Sequence, residues 1–171
     1  DDTVVLIRQF RHAAGGFIFE IPAGKLAPGE DPLHCASREL EEEVGYRASS
    51  LELLSSIFTA PGFADEVIHV YKATGLTKGR QHLDRDEVLE IIEMPLNQAV
   101  AHIQDGMIRD AKTIVGLQAV YIQNHLPRLY RTSLTPHYSL SSVDYFLETQ
   151  WSRYRRINNE GVPPDVGSTP H

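Results

Sequence analysis

Cysteine is nearly absent. With Cys35 alone in 171 residues, no disulfide can form within the chain, and a reducing, cytoplasmic setting is expected. No apolar run approaches the roughly 18 residues that a membrane helix requires, and no stretch reads as a signal peptide, so no membrane association is expected. Positive charge is also short. Sixteen Lys and Arg against 23 Asp and Glu leave a net charge of −7, which argues against nucleic acid as a non-specific partner. A phosphorylated ligand would have to be met through a metal ion or through local arginines. No internal repeat is visible. At 42% hydrophobic and 23% charged residues, the composition is that of a soluble globular protein, and the length suits one domain with a sizeable core.

Against this background one stretch stands out, Gly24 to Tyr46, GKLAPGEDPLHCASRELEEEVGY. It runs from a Pro/Gly-rich loop into a predicted helix. Asp31 suits the N-cap, Pro32 the first helical position, and Gly45 the left-handed residue that closes the helix. Glu39, Glu42 and Glu43 fall at i, i+3 and i+4, so they share one face. Leu33, Ala36, Leu40 and Val44 form an apolar stripe beside it, and Cys35 reads as a packing residue. The acidic cluster lies in the last turn, where the helix dipole disfavours each anion by about 0.3–1 kcal/mol. Arg38, four residues before Glu42, offsets part of that. Such a misfit is expected where a cation completes a site. Clustered carboxylates without a His or Cys partner select hard cations, Mg²⁺ first and Mn²⁺ as the alternative, and leave room for more than one ion.

The spacing Gly24, Glu30, Arg38-Glu39-Leu40, Glu42-Glu43, Gly45 resembles the signature of the Nudix hydrolases. Only the last position departs, with Tyr46 where an aliphatic residue is usual, and a tyrosine can still bury most of its ring. The resemblance implies an α/β fold, an α/β/α sandwich with a mixed β-sheet on which the motif helix packs. It further implies Glu39 and Glu43 as main metal ligands, Glu42 as a third ligand or a base, and the backbone carbonyl of Ala23 completing the coordination. Arg38 would orient the glutamates, and Glu30 would support the loop and helix. In relatives the general base can come from a later acidic loop. Here that loop is Leu83 to Glu87, so Glu87 is the expected base, with Glu42 and Asp86 as alternatives.

Other segments resemble the ADP-ribose pyrophosphatase branch of that family. They are Arg8-Gln9-Phe10-Arg11, Glu20-Ile21-Pro22-Ala23-Gly24, Pro61 sixteen residues after Gly45, and Asp110-Ala111-Lys112-Thr113. The implied reaction is ADP-ribose plus water giving AMP and ribose 5-phosphate. Arg11, Glu20, Pro61, Gly62 and Glu66 become candidates for substrate contacts. Hydrolysis of another nucleoside diphosphate sugar or a dinucleotide is the alternative. A non-catalytic ADP-ribose-binding module would be expected to lose one of the three glutamates, and all are present. A homodimer is also implied. Relatives carry an N-terminal β segment that pairs with the partner subunit, and an exposed sheet edge is expected if the chain begins at Asp1.

Strands are predicted at Val4–Phe10, Phe17–Ile21, Leu51–Phe58, Glu66–Ala73 and Val88–Glu93, and later helices at about Leu96–Gln104 and Asp110–Gln123. Ile114, Leu117, Val120 and Tyr121 form the apolar stripe of the last. Gly75 to Asp86 reads as a polar, mobile stretch. The Nudix domain is expected over residues 1–125. A helical extension rich in arginine and aromatic residues follows at 126–157, read as docking on this or a neighbouring subunit, with a disordered tail at 158–171.

Overall fold

The first strand shows how the chain is layered. In the computed structural model, which describes residues 2–83 and 88–125, β1 (Thr3–Arg11) buries the consecutive residues Leu6 and Ile7 to 0% and 1% exposure. Successive strand residues point to opposite faces, so both faces of β1 are covered. That explains the unbroken apolar run from Val4 to Ile7. β1 is the middle strand of a three-stranded sheet, antiparallel to β2 (Gly16–Glu20) on one side and to β7 (Leu89–Pro95) on the other. A short 3-10 turn at His12–Ala14 joins β1 to β2.

Two further antiparallel ladders complete the strands, β4 (Ser50–Phe58) with β5 (Val67–Thr74), and β3 (Tyr46–Arg47) with β6 (Thr77–Lys78). The expected mixed sheet is thus distributed, among the described residues, over three ladders in which every pairing is antiparallel. The β3–β6 pair places a short strand near the start of the polar stretch from Gly75. Thr77 and Lys78 gain a partner strand only because α1 (Pro32–Val44) delivers Tyr46 and Arg47 beside them.

Helices α2 (Leu96–Gln104) and α3 (Ala111–His125) follow β7. Asp110, expected inside the last helix, instead caps it, its carboxylate accepting from the Thr113 N–H at 3.0 Å. Leu6, Met94, Leu96, Ala99, Ile108 and Leu117 form the core between sheet and helices, and Ile114, Val120 and Tyr121 pack against it. The apolar stripe of α1 is shorter than predicted. Leu33 is 40% exposed, and Cys35 takes the buried place at that end, with Val44 at the other. α1 contacts β3 and β5, whereas α3 contacts β5 and β2. Among the described residues no helix is long and apolar enough to cross a membrane. Asp86, Glu87, the extension at 126–157 and the tail at 158–171 lie outside the described residues.

Candidate active site

The helix that carries the carboxylates is fixed at both ends by local chemistry. Asp31 accepts the Leu33 N–H at 2.9 Å, Pro32 occupies the first turn, and Gly45 adopts φ 68°, a conformation cheap only for glycine. The unfavourable end of the dipole is not left bare. The carbonyl of Glu42 accepts the His82 N–H at 2.9 Å, that of Glu43 the Gln81 side-chain amide at 2.7 Å, and that of Gly45 the Gly79 N–H at 2.6 Å. Donors from residues 79–82 therefore offset the negative pole beneath the acidic cluster.

Arg38 organises that cluster. Its Nη1 donates to Glu39 Oε1 and to Glu42 Oε2, both at 2.7 Å, while Nε and Nη2 reach the two oxygens of Glu30 at 3.0 and 3.1 Å. Glu30 also accepts the Ala27 N–H at 2.9 Å, which ties the loop to the helix. The Arg38 guanidinium, followed by that backbone N–H, holds the Glu30 carboxyl down at about 2. Reciprocally, Glu30, Glu42 and Glu39 push the Arg38 pKa upward. Burial raises the Cys35 thiol, so Cys35 is a packing residue rather than a nucleophile.

Glu43 is 3% exposed, and its Oε2 accepts the Ala23 N–H at 2.8 Å. The next residue, Gly24, lies so close to the Glu39 carboxylate that a Cβ there would overlap it. The run Glu20–Gly24 thus ends against two of the three carboxylates. Three carboxylates, Glu30, Glu39 and Glu42, meet one guanidinium, and Glu43 follows on the same helical face, an all-oxygen set with excess negative charge whose donor chemistry fits a hard divalent cation. Among the described residues no three acidic, His or Cys side chains already converge as a metal cage; Arg38 takes one oxygen each of Glu39 and Glu42, and the Ala23 N–H one of Glu43. A cation would share the glutamates with Arg38. Glu42, half-exposed, has Oε1 without a hydrogen bond among the described residues.

A cleft of about 1520 Å³ brings the carboxylates together with Arg11, Ala23, Gly24 and Glu66. Glu20 lies beneath it, 3% exposed, accepting from Arg11 Nε at 2.7 Å and from Lys112 Nζ at 2.6 Å. Pro61 and Gly62 are exposed in the turn after β4 and are not among the cleft's lining residues. Lys112 lines the cleft and has no counterpart among the predicted site residues. By sequence its segment carries only a family resemblance, and the fold alone brings it to Glu20, 92 positions away. Tyr46, at the position usually aliphatic, donates its hydroxyl to Glu93 at 2.6 Å, and that bond raises the phenol pKa.

A family model described as the NUDIX domain matches residues 1–115. A methanol dehydrogenase activator of Bacillus methanolicus is 44% identical over 128 residues, 74% of this chain and 69% of its own length. An ADP-ribose pyrophosphatase of Bacillus subtilis (strain 168) is 40% identical over 125 residues, 72% of this chain and 68% of its own. Among solved structures, one titled as an ADP compounds hydrolase superposes with a TM-score of 0.66 at 26% identity, covering 72% of this chain and 68% of that one.

Proposed function

From the premise that this chain belongs to the NUDIX family and is a pyrophosphohydrolase, we propose that it hydrolyses the diphosphate of ADP-ribose to AMP and ribose 5-phosphate. The arrangement that carries the reading is the set of Glu39, Glu42 and Glu43 on one helical face, gathered by Arg38 and by the Ala23 N–H at the wall of the cleft. The names of an ADP-ribose pyrophosphatase at 40% identity and of an ADP compounds hydrolase in the same fold support the substrate class.

NUDIX hydrolases use divalent ions, and Mg²⁺, with Mn²⁺ as the alternative, suits this oxygen-only donor set. Glu39, Glu43, Glu42 and the Ala23 carbonyl are the proposed ligands. When bound, the ion would polarise the diphosphate and acidify an attacking water. The chain's own contributions are separable from that. Arg38 keeps Glu39 and Glu42 side by side, Glu30 anchors Arg38, and Gly24 leaves space for the Glu39 carboxylate. Glu87 or Glu42 takes the proton from water, and Arg11 and Glu66, both at the cleft, meet the substrate. We further assign residues 1–125 to the catalytic domain and expect a cytoplasmic homodimer.

The test is a panel of ADP-ribose, ADP-glucose and GDP-mannose with Mg²⁺, followed by chromatography of the nucleoside monophosphate released. No release from any of them sinks the enzymatic reading. Release that ranks ADP-ribose below another sugar nucleotide sinks only the choice of substrate. The 44% identity to a methanol dehydrogenase activator favours one second reading, that the chain raises a dehydrogenase's turnover. Adding the chain to methanol dehydrogenase, with and without Glu43→Gln, tests it, and an unchanged rate discards it.

A further inference from the structure

We infer that Lys112 is a positioning residue for the substrate's diphosphate, acting through Glu20 to aim Arg11. The inference rests on the pyrophosphohydrolase reading and adds to it a residue that the motif does not contain.

A carboxylate as buried as Glu20 must be paired. It has two partners, one per oxygen, with Lys112 Nζ on Oε1 and Arg11 Nε on Oε2. Lys112 is itself held, because its Nζ also lies 3.0 Å from Asp110 Oδ2. Asp110 in turn accepts the Thr113 hydroxyl at 2.6 Å, and that hydroxyl accepts the Ile21 N–H at 2.8 Å. The circuit closes one residue from where it started. Two cations balance two anions within it, and Thr113 is fully buried. Lys112, with 11% of its side chain exposed, can hardly reach a bulky ligand, whereas Arg11 has 43% exposed.

Arg11 is the outlet of this circuit. Glu20 takes only its Nε, and among the described residues its two terminal nitrogens make no hydrogen bond, although the side chain lines the cleft. A guanidinium fixed by Nε with its terminal amines available is suited to the oxygens of a phosphate. From Glu20 to Ala23, which binds Glu43, is three residues, a span of at most about 10 Å. One substrate can therefore meet both Arg11 and the carboxylate helix. Without the Lys112 cation, one Glu20 oxygen is left bare. Arg11 then turns its fork onto both oxygens, the geometry that arginine and carboxylate favour, and its amines leave the cleft.

Lys112→Met is expected to raise KM for ADP-ribose about 10- to 100-fold, the loss of one charge-assisted hydrogen bond, with kcat changed less than about threefold. Lys112→Arg, which keeps a cation on Glu20, should restore most of it. In an Arg11→Ala background, Lys112→Met should raise KM no further. Calorimetric titration with ADP, which needs no turnover, should show the same coupled weakening, and Lys112→Gln serves if the Met variant does not fold. An unchanged KM and ADP affinity, a fall in kcat alone, or effects of Lys112 and Arg11 that simply multiply would each overturn the inference. A wild-type chain that binds ADP with this coupling yet hydrolyses no sugar nucleotide would sink the proposed reaction and leave the role of Lys112 standing.

Discussion

Gly24→Ala separates site geometry from fold. Gly24 has no positive φ, so an alanine is compatible with the backbone, and the nearest group a Cβ would strike is the Glu39 carboxylate, the far end of a flexible side chain. The overlap is severe. Ordinary van der Waals contact begins near 3.4 Å, and reaching it requires the carboxylate to move by more than about 1 Å. A side chain pushed that far off its rotamer costs roughly 0.5–1.5 kcal/mol, too little to unfold a domain. The same displacement pulls Glu39 away from the Arg38 Nη1 that it shares with Glu42. A misplacement near 1 Å in a catalytic set can cost about 10²-fold, or some 2.7 kcal/mol of transition-state stabilisation. The expected result is kcat/KM down by about two orders of magnitude in AMP release from ADP-ribose, a weaker response to Mg²⁺ titration, and a thermal midpoint within a few degrees of wild type. Activity within threefold of wild type at limiting Mg²⁺ would refute the reasoning. So would a variant that fails to fold, since that would make Gly24 a structural residue.

Glu43→Gln keeps an oxygen for the Ala23 N–H but loses the charge, so turnover should fall by at least about 10²-fold while circular dichroism and the melting curve stay unchanged. Thr113→Val conserves shape at a fully buried position and leaves the part-buried Ile21 N–H without its acceptor, for a loss of about 1–3 kcal/mol read from urea unfolding. Because the Glu30 carboxyl is held at about 2 against an ordinary 4.5, its contribution to stability is complete above pH 4.5 and fades as pH falls towards 2. Acid-unfolding curves of wild type and Glu30→Gln should therefore converge across that window and stay parallel above it.

What was legible in the sequence follows from how locally each feature is determined. The bounds of α1 were, because Asp31, Pro32 and Gly45 each act within a few residues of themselves. So was the grouping of Glu39, Glu42 and Glu43, which needs only helical periodicity. The β3–β6 ladder was not, since two-residue strands have no periodicity to read and pair only after α1 has placed one of them. Helical angle alone puts Leu33 on the apolar stripe, whereas the helix leaves Leu33 exposed and buries Cys35 instead. The partner of Glu20 was hidden for a different reason. Lys112 becomes its neighbour only when α3 folds back over β2, a contact that no local rule foresees.

The donors at the foot of α1 bear on how this protein can change length. A connection between strands is ordinarily where insertions and deletions collect, at little thermodynamic cost. Here Gly79, Gln81 and His82 each meet a different carbonyl of one helix end, like three pins in a fixed socket. One residue added or removed between Lys78 and His82 would put every later donor out of step and bare the pole beneath the glutamates. Over those few positions the spacing is as constrained as that of the motif itself.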